Sequence, residues 1–270
     1  MYLASARAWL GATIVNAVAA WRGAAVAIGE YIEAVVREGR CDCGLPCRAL
    51  GLVGGRGYCV EARSSIGFRG GVKSSSAVVN AALIAYYRLR GVPDPSPAYI
   101  VDVNARAGLE AGVSITGAAD DAYASLLGGV VVVDNRSRRL VRRYPPPRGV
   151  VVVLLRPSGL GRLWPPCRPE ARKEAASLAL EAWLRALDGD VFEAVRLNWL
   201  AYRDYLCAPS EPVEGALRAG ALAASLSGLG PTYEAFVEED RVERVVGVWR
   251  RLGEVVVARL EERPSCCIIG

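Results

Sequence analysis

The sequence predicts an α+β protein built from two domains. Strand-like and helix-like segments follow one another without the regular alternation that is typical of a parallel α/β sheet. The chain of 270 residues is long enough to bury two hydrophobic cores. A stiff segment at residues 144–148 contains three consecutive prolines and interrupts the pattern near the middle. We therefore predict a first domain over residues 1–148 and a second domain over residues 149–270.

In the first domain, β-branched and apolar runs predict strands, and mixtures of small and apolar residues predict helices. The predicted strands cover residues 26–38, 57–62 and 129–134. The predicted helices cover residues 75–90, 104–112 and 120–127. The first of these helices ends before Gly91 and Pro93, because glycine and proline stop a helix.

The second domain opens with a predicted buried strand over residues 150–156, a run of valine and leucine. Apolar residues at three- and four-residue spacing then predict helices over residues 169–187 and 190–206, and a weaker helix over 211–224. Mixed structure follows over residues 221–239. The chain closes with a predicted helix over residues 241–252 and a predicted strand over residues 254–260.

Composition and charge exclude several classes of protein. The mean hydropathy is +0.23, yet the uncharged stretch at residues 8–21 contains Thr13 and Asn16 and is shorter than the about 20 residues that span a bilayer. We expect no transmembrane helix, and a secretory signal behind Arg7 is the alternative for this stretch. The net charge of +5 comes from arginines dispersed along the chain, so we expect solvated basic faces and no nucleic-acid partner.

Lysine, histidine and methionine are unusually scarce. Lys73 and Lys173 are the only lysines among 33 basic residues, histidine is absent, and methionine occurs once. This usage predicts a heat-adapted source, with skewed codon usage as the alternative explanation. Because the chain has no histidine, its base and its metal ligands must come from other residue types.

Four of the eight cysteines, Cys41, Cys43, Cys47 and Cys59, fall within 19 residues. Their spacing lacks the paired C-x-x-C pattern of a zinc site, so we expect them to pack or to form disulfides. Disulfides are compatible with the interior of a heat-adapted cell. The sequence leaves open whether the cysteines at 266 and 267 are free or paired.

A glycine- and serine-rich segment at residues 67–77 precedes the first long helix. Free backbone N–H groups at the positive end of a helix dipole form an anion site, and phosphate fits such a site. The spacing differs from the Walker motif, because the lysine precedes three serines. A flexible linker with a capping serine is the alternative, and Lys73 argues against it because the chain otherwise uses arginine.

Acidic residues cluster downstream of this segment. Asp120 and Asp121 follow a turn of small residues, and Glu110 lies 11 residues before Asp121. Carboxylates in this arrangement are able to hold Mg²⁺ and to accept a proton from a hydroxyl. Taken alone, the segment favours the alternative that Asp120 or Asp121 caps a helix.

A third segment of small residues, 225–232, lies beside an apolar strand and contains Gly228 and Gly230. Gly-x-Gly turns are common, so an ordinary hairpin loop is the stronger interpretation of this segment by itself.

Together and in this order, the three segments resemble the motifs of the GHMP kinases, the superfamily of galactokinase, homoserine kinase and mevalonate kinase. Residues 70–77 are similar to the phosphate loop of that superfamily, with Ser76 at the position that contacts Mg²⁺. Asp121 matches the catalytic aspartate of mevalonate kinases and Glu110 their magnesium-binding glutamate. Residues 227–230 resemble the third, glycine-rich motif.

Within the superfamily, residues 11–19, 73–77 and 115–125 are similar to archaeal-type shikimate kinases. The resemblance makes residues 11–19 the first family motif, which removes the signal-peptide alternative. Mevalonate kinases carry a lysine in that motif that helps to activate the hydroxyl, whereas this chain has no lysine before Lys73. Arg22 is a candidate replacement.

The resemblance implies a two-domain GHMP kinase fold, with a ribosomal-protein-S5-like first domain, a ferredoxin-like second domain and the site between them. It also implies a cytoplasmic enzyme, a monomer or a homodimer, that uses ATP and Mg²⁺ to phosphorylate the 3-hydroxyl of shikimate. The alternatives are a kinase for homoserine, pantoate or mevalonate, or an inactive ATP-binding sensor.

The implied site falls into four roles. Asp121 is the catalytic residue, Ser76 and Glu110 bind the metal, and Arg22 and Arg69 are candidates for binding the acceptor. Lys73 is also able to contact a phosphate as a point charge. The implied ATP-binding residues are Asn16, Gly70, Gly71, Val72, Lys73, Ser74, Ser75, Ser76, Ser227, Gly228 and Gly230.

Overall fold

Two antiparallel β-sheets organise residues 3–66, 70–161 and 163–265, the part of the chain that this computed structural model describes. Eight α-helices accompany the sheets in these residues. Strands pair with antiparallel neighbours throughout both sheets, which confirms the predicted α+β class. No helix in the described ranges combines the length and the apolar character needed to cross a membrane.

The first sheet is built around one long strand. Its strands are β1 (Leu3–Val15), β2 (Arg22–Glu38), β3 (Tyr58–Ser64), β4 (Val130–Asp134) and β5 (Arg139–Tyr144). They lie in the order β1-β2-β4-β5, and β3 pairs with the later half of β2. Because β2 has 17 residues, its first half is free to pair with β4. The N-terminal strand and residues 130–144 therefore belong to one sheet, on opposite sides of β2.

Four helices cover the first sheet and its edge. They are α1 (Leu45–Leu52), α2 (Ser74–Leu89), α3 (Pro97–Glu110) and α4 (Ala119–Leu127). Helix α2 packs against β1 and β2, and most of its residues from Ser76 to Tyr86 are buried. Helix α4 packs against the same two strands and against α2. The starts of α2 and α4 are therefore held close to β1.

The second sheet follows residue 149. Its strands are β6 (Val150–Pro157), β7 (Ala223–Leu226), β8 (Tyr233–Glu238) and β9 (Gly253–Arg259), in the order β7-β8-β6-β9. The accompanying helices are α5 (Arg172–Asp188), α6 (Val191–Arg203), α7 (Glu211–Arg218) and α8 (Val242–Trp249). Helix α5 also packs against β1 and β2, and helix α6 packs against β1. The division of the chain between residues 148 and 149 stays a prediction.

Most predicted elements are confirmed to within a few residues, and the exceptions have local causes. The helix predicted over residues 211–224 is wrong at its end, because Gly220 adopts a φ of +99° and residues 223–226 form β7. Helix α3 begins seven residues before the predicted start, since the Ser96 side chain accepts a hydrogen bond from the Tyr99 N–H and caps it. Sequence reasoning missed β1, β5 and α1 altogether.

Three disulfides occur among the described residues, so the pairing alternative applies to the clustered cysteines. Cys41 pairs with Cys59, and Cys43 pairs with Cys47. A third bond joins Cys167, before α5, to Cys207, after α6. The cysteines at 266 and 267 lie outside the described residues.

Candidate active site

The loop before α2 has a backbone conformation that favours glycine. Gly70 and Gly71 adopt φ values of +96° and +78°, and Lys73 follows in the left-handed region at +62°. A Cβ atom on Gly71 would lie 2.7 Å from the Cβ of Thr232, so both conformation and space require glycine there. Among the described residues, no side chain caps the first turn of α2. Its free N–H groups are therefore available to an anion.

Residues 227–232, which follow β7 in the second sheet, hydrogen-bond to this loop. The Ser227 hydroxyl donates to the Gly71 carbonyl at 2.5 Å, and the Thr232 hydroxyl donates to the Gly70 carbonyl at 2.7 Å. The Gly228 N–H donates to Thr13 Oγ1 of β1 at 2.8 Å. Because the same turn binds both the loop and β1, the loop's conformation depends on how the sheets pack.

Helix α4 begins with two carboxylates that do not cap it. Its N-cap residue is Ala118, in the left-handed region at φ +50°, and no side chain makes a capping bond. Asp120 instead accepts from Asn135 Nδ2 at 2.9 Å, and Asp121 Oδ1 lies 2.8 Å from Lys73 Nζ. The capping alternative for these two aspartates is therefore wrong.

The Lys73 ammonium lies between the starts of α2 and α4. Besides contacting Asp121, it donates to Thr13 Oγ1 at 2.6 Å, and only 6% of its side chain is exposed. Burial lowers the pKa of Lys73, but the carboxyl groups of Asp121, Asp120 and Glu234 outweigh burial and raise that pKa overall. Lys73 is therefore a buried cation.

Three carboxyl groups face this single cation. Burial, together with the neighbouring Asp121 charge, raises the pKa of Asp120 to about 7. Burial likewise raises the pKa of Glu234 to about 8, against the opposing effect of Lys73. Since buried charges need partners, Asp120 and Glu234 carry protons more readily than ordinary acids do. Asp121 is the carboxylate in direct contact with the ammonium.

One cavity brings most of the predicted site residues together. The predicted residues that line it are Asn16, Gly70, Gly71, Lys73, Ser74, Ser75, Ser76, Asp121 and Gly228. Val72, Ser227 and Gly230 are not among its lining residues. Val72 is fully buried and its carbonyl accepts from the Gly11 N–H, while Gly230 donates to the Ser227 carbonyl. These three residues therefore shape the loops behind the cavity.

The predicted metal ligand Glu110 lies elsewhere. Glu110 is exposed and lines a second cavity, apart from Ser76. The cause is helical geometry, since Asn104 and Gly108 of α3 face the first cavity and Glu110 follows Gly108 by about 200° of rotation. The prediction that Glu110 and Ser76 share one metal ion therefore has no support in this arrangement.

Of the two arginines predicted to bind the acceptor, Arg22 is not among the residues that line the cavity. Arg22 forms an ion pair of 2.7 Å with Asp134, its neighbour across β2 and β4, and its guanidinium lies over the Trp183 ring. The cation that contacts Asp121 is Lys73, at 2.8 Å, and not Arg22. Arg69 lies outside the described residues.

Sequence reasoning missed four polar residues that complete the site. Thr13 and Glu234 contact each other below Lys73, and Asn135 holds Asp120. Asn104 donates to the Ser76 carbonyl at 2.9 Å. All four are buried, and Thr13 and Glu234 lie within apolar stretches, a signal that could have identified those two.

Solved structures share this architecture over nearly the whole chain. A galactokinase of Lactococcus lactis superposes with a TM-score of 0.74 at 12% identity, covering 97% of this chain and 94% of the other. A homoserine kinase of Cytophaga hutchinsonii gives 0.70 at 17% identity, covering 96% of both chains. The Methanococcus jannaschii mevalonate kinase gives 0.69 at 12% identity, covering 96% of this chain and 98% of the other. At these identities the likeness defines the fold alone, which is that of the GHMP kinases.

Sequence relatives define the family more narrowly. Residues 30–129 match the family described as GHMP kinases N terminal domain. A shikimate kinase of Methanothrix thermoacetophila is 37% identical, covering 96% of this chain and 94% of its own length. A shikimate kinase of Pyrococcus furiosus is 32% identical, covering 91% and 94%. The chain belongs to the shikimate kinase family within the GHMP kinases.

Proposed function

We propose that this chain transfers the γ-phosphoryl group of ATP to the 3-hydroxyl of shikimate. Family membership supports the acceptor and the donor. The observation that carries the chemistry is the pair of Asp121 and Lys73, which lines the same cavity as the open start of α2. A proton acceptor and an anion site therefore share one space.

The start of α2 binds the phosphates of ATP. Ser74, Ser75 and Ser76 form its first turn and line the cavity together with Gly70 and Gly71. Uncapped N–H groups and the positive end of the dipole favour a phosphate there. The phosphates are thereby bound by backbone N–H groups and not by a basic side chain. Lys73 therefore keeps its contacts with Asp121 and Thr13.

Asp121 accepts the proton of the acceptor hydroxyl. As the hydroxyl oxygen forms its bond to the γ-phosphorus, the bond from that phosphorus to the bridging β-phosphate oxygen breaks and ADP leaves. The proton passes to the Asp121 carboxylate, which Lys73 holds by its ion pair. Catalysis then rests on positioning and on charge, as is usual for phosphoryl transfer.

Mg²⁺ fits this cavity through oxygen donors. The Ser76 side chain lines the cavity at the third residue of α2, and Mg²⁺ prefers one or two protein oxygens together with phosphate oxygens and water. Ser76 is therefore the residue that we propose to hold the ion. When bound, Mg²⁺ neutralises phosphate charge that the protein alone leaves exposed.

The acceptor carboxylate needs a cation that the described lining does not offer. Among the described residues of the cavity wall, Lys73 is the one cation, and it is paired. Arg69 immediately precedes Gly70 in the loop. Arg69 stays our proposal for the acceptor carboxylate, since guanidinium binds carboxylates in a bidentate manner.

An acceptor panel tests the function. Purified protein with ATP and Mg²⁺ should release ADP with shikimate at least about 10²-fold faster than with homoserine, pantoate or mevalonate, because unmatched polar groups are strongly rejected. Product identification by mass spectrometry should show shikimate 3-phosphate. Comparable turnover of homoserine would overturn the acceptor while keeping a small-molecule kinase. Binding of ATP without turnover of any acceptor would instead favour the sensor.

A further inference from the structure

A chain of polar contacts runs from the second sheet to the proposed proton acceptor. Glu234 Oε2 of β8 accepts from the Thr13 N–H of β1 at 2.8 Å. Thr13 Oγ1 accepts from Lys73 Nζ at 2.6 Å, and Lys73 Nζ lies 2.8 Å from Asp121 Oδ1. Four elements distant in sequence therefore meet in one line of contacts.

Glu234 is an unusual residue for its place in the fold. Its neighbours Tyr233, Ala235 and Phe236 are fully buried, and Glu234 itself is 0% exposed. One carboxyl oxygen, Oε1, has no hydrogen-bond partner among the described residues. Burying a carboxyl group with one unmatched oxygen costs stability, whereas an apolar residue would pack at no such cost. The position therefore calls for an explanation other than packing.

We propose that Glu234 is a positioning residue that fixes Thr13, and through the Thr13 hydroxyl holds the Lys73 ammonium against Asp121. The proposal rests on the proposed function for the role of Asp121. Lysine has four rotatable side-chain bonds, so its ammonium needs a second fixed partner to stay at one place. Thr13 is that partner, and Glu234 binds the Thr13 backbone from the opposite sheet.

The first test needs no acceptor, so it is independent of the proposed function. The chain contains two lysines, and Lys173 is exposed on α5. Labelling with [¹³Cε]lysine therefore gives one reporter signal for Lys73 and one internal reference. In Glu234→Leu the Lys73 signal should shift and its pKa should fall, because one of its three facing carboxyl groups is gone. Lys173 should be unaffected.

The second test separates kcat from KM. Because small misplacements of catalytic groups are costly, Glu234→Leu should lower kcat about 10- to 100-fold while the KM for ATP changes less than about threefold. Glu234→Gln should recover most of that loss, since its amide oxygen is able to accept the Thr13 N–H. Glu238→Leu is the matched control on the same strand, because Glu238 pairs with Arg241 at the surface.

A double-mutant cycle identifies the route. Thr13→Val removes the hydroxyl that contacts Lys73. If Glu234 acts through Thr13, the double variant Thr13→Val with Glu234→Leu should lose about as much kcat as the worse single variant. Losses that multiply independently would overturn the proposal.

Other results would also overturn it. An unmoved Lys73 signal in folded Glu234→Leu, or a kcat within twofold of wild type, contradicts the positioning role. If Glu234→Leu fails to fold, substitutions of Thr13 test the same line of contacts. Thr13→Ser should then keep most of kcat and Thr13→Val should lose about tenfold, and equal activities refute the proposal. Should shikimate fail as acceptor, whichever acceptor supports turnover serves for all these comparisons.

Discussion

The starts of α2 and α4 use the same backbone device for opposite purposes. Each helix follows a non-glycine residue in the left-handed region, Lys73 at φ +62° and Ala118 at φ +50°, and no described side chain caps either start. The first turn of α2 holds no acidic residue, whereas the first turn of α4 holds Asp120 and Asp121. One positive helix end is thus open to an external anion, and the other faces the protein's own carboxylates.

The difference shows how two positive helix ends support different chemistry. A left-handed conformation costs about 1 to 2 kcal/mol for a residue with a Cβ, so both starts are held by their surroundings. At α2 the braces are Ser227 and Thr232, which fix the carbonyls of the glycine loop. At α4 the brace is Asn135, which bonds both the backbone and the side chain of Asp120.

The largest expected effect comes from neutralising the α4 carboxylate that contacts Lys73. Asp121→Asn keeps the shape and removes the charge, so kcat should fall about 10² to 10⁴-fold. ATP affinity should barely change, because the start of α2 is untouched. Steady-state kinetics and calorimetric ATP binding measure the two quantities.

Asp102→Asn is the control for that variant. Asp102 of α3 pairs with Arg138 and Arg106 and is not part of the cavity wall. Its kcat should stay near wild type. An unaltered kcat in Asp121→Asn would show that Asp121 is not the proton acceptor.

The second largest expected effect comes from distorting the loop before the uncapped start of α2. Gly71→Ala introduces a Cβ at a φ of +78° and within 2.7 Å of Thr232, so the loop must move. The KM for ATP should rise at least about tenfold, since the backbone N–H groups at the start of α2 no longer point towards the phosphates. Gly91→Ala at the far end of the same helix also has a positive φ but meets nothing within 4 Å. It should lose stability without changing the KM, and a KM shift equal to that of Gly71→Ala would contradict the assignment.

A smaller effect concerns the metal. Ser76→Ala removes the hydroxyl proposed to hold Mg²⁺, so the Mg²⁺ concentration for half-maximal rate should rise about 10-fold. Ser75→Ala in the same turn is the matched control and should keep the wild-type requirement. Identical magnesium curves for the two variants would remove Ser76 from the metal site.

Part of the difference between the starts of α2 and α4 could be predicted from the local sequence. The glycine and serine pattern indicated an anion site before α2, because that feature depends on neighbouring residues. The acidic pair taken alone favoured a helix cap, and only the family resemblance gave Asp121 a catalytic role. Helices α2 and α4 begin within one residue of their predicted starts.

The contacts between these segments were beyond short-range sequence rules. Lys73 and Asp121 are 48 residues apart, and Thr13 and Glu234 are 221 residues apart, so only the packing of the sheets joins them. Glu110 shows the limit of such rules, because its spacing from Asp121 matches a family pattern while Glu110 itself lines another cavity. Spacing along the chain does not specify the direction in which a helix points a side chain.

The smallest expected effect is a change in the pH dependence of stability when the buried acid Glu234 is replaced. Glu234 has a folded pKa of about 8 and an ordinary unfolded pKa near about 4.3, so its favourable contribution is complete below the unfolded value and is lost as pH rises through about 8. Glu234→Gln cannot ionise, whereas Asp120 behaves alike in both proteins. The Tm of the variant relative to wild type should therefore increase by a few degrees between pH 5 and pH 9. Thermal unfolding at each pH measures this difference, with Glu238→Gln as the exposed control, and parallel Tm curves for Glu234→Gln and wild type would show that Glu234 titrates as an ordinary acid.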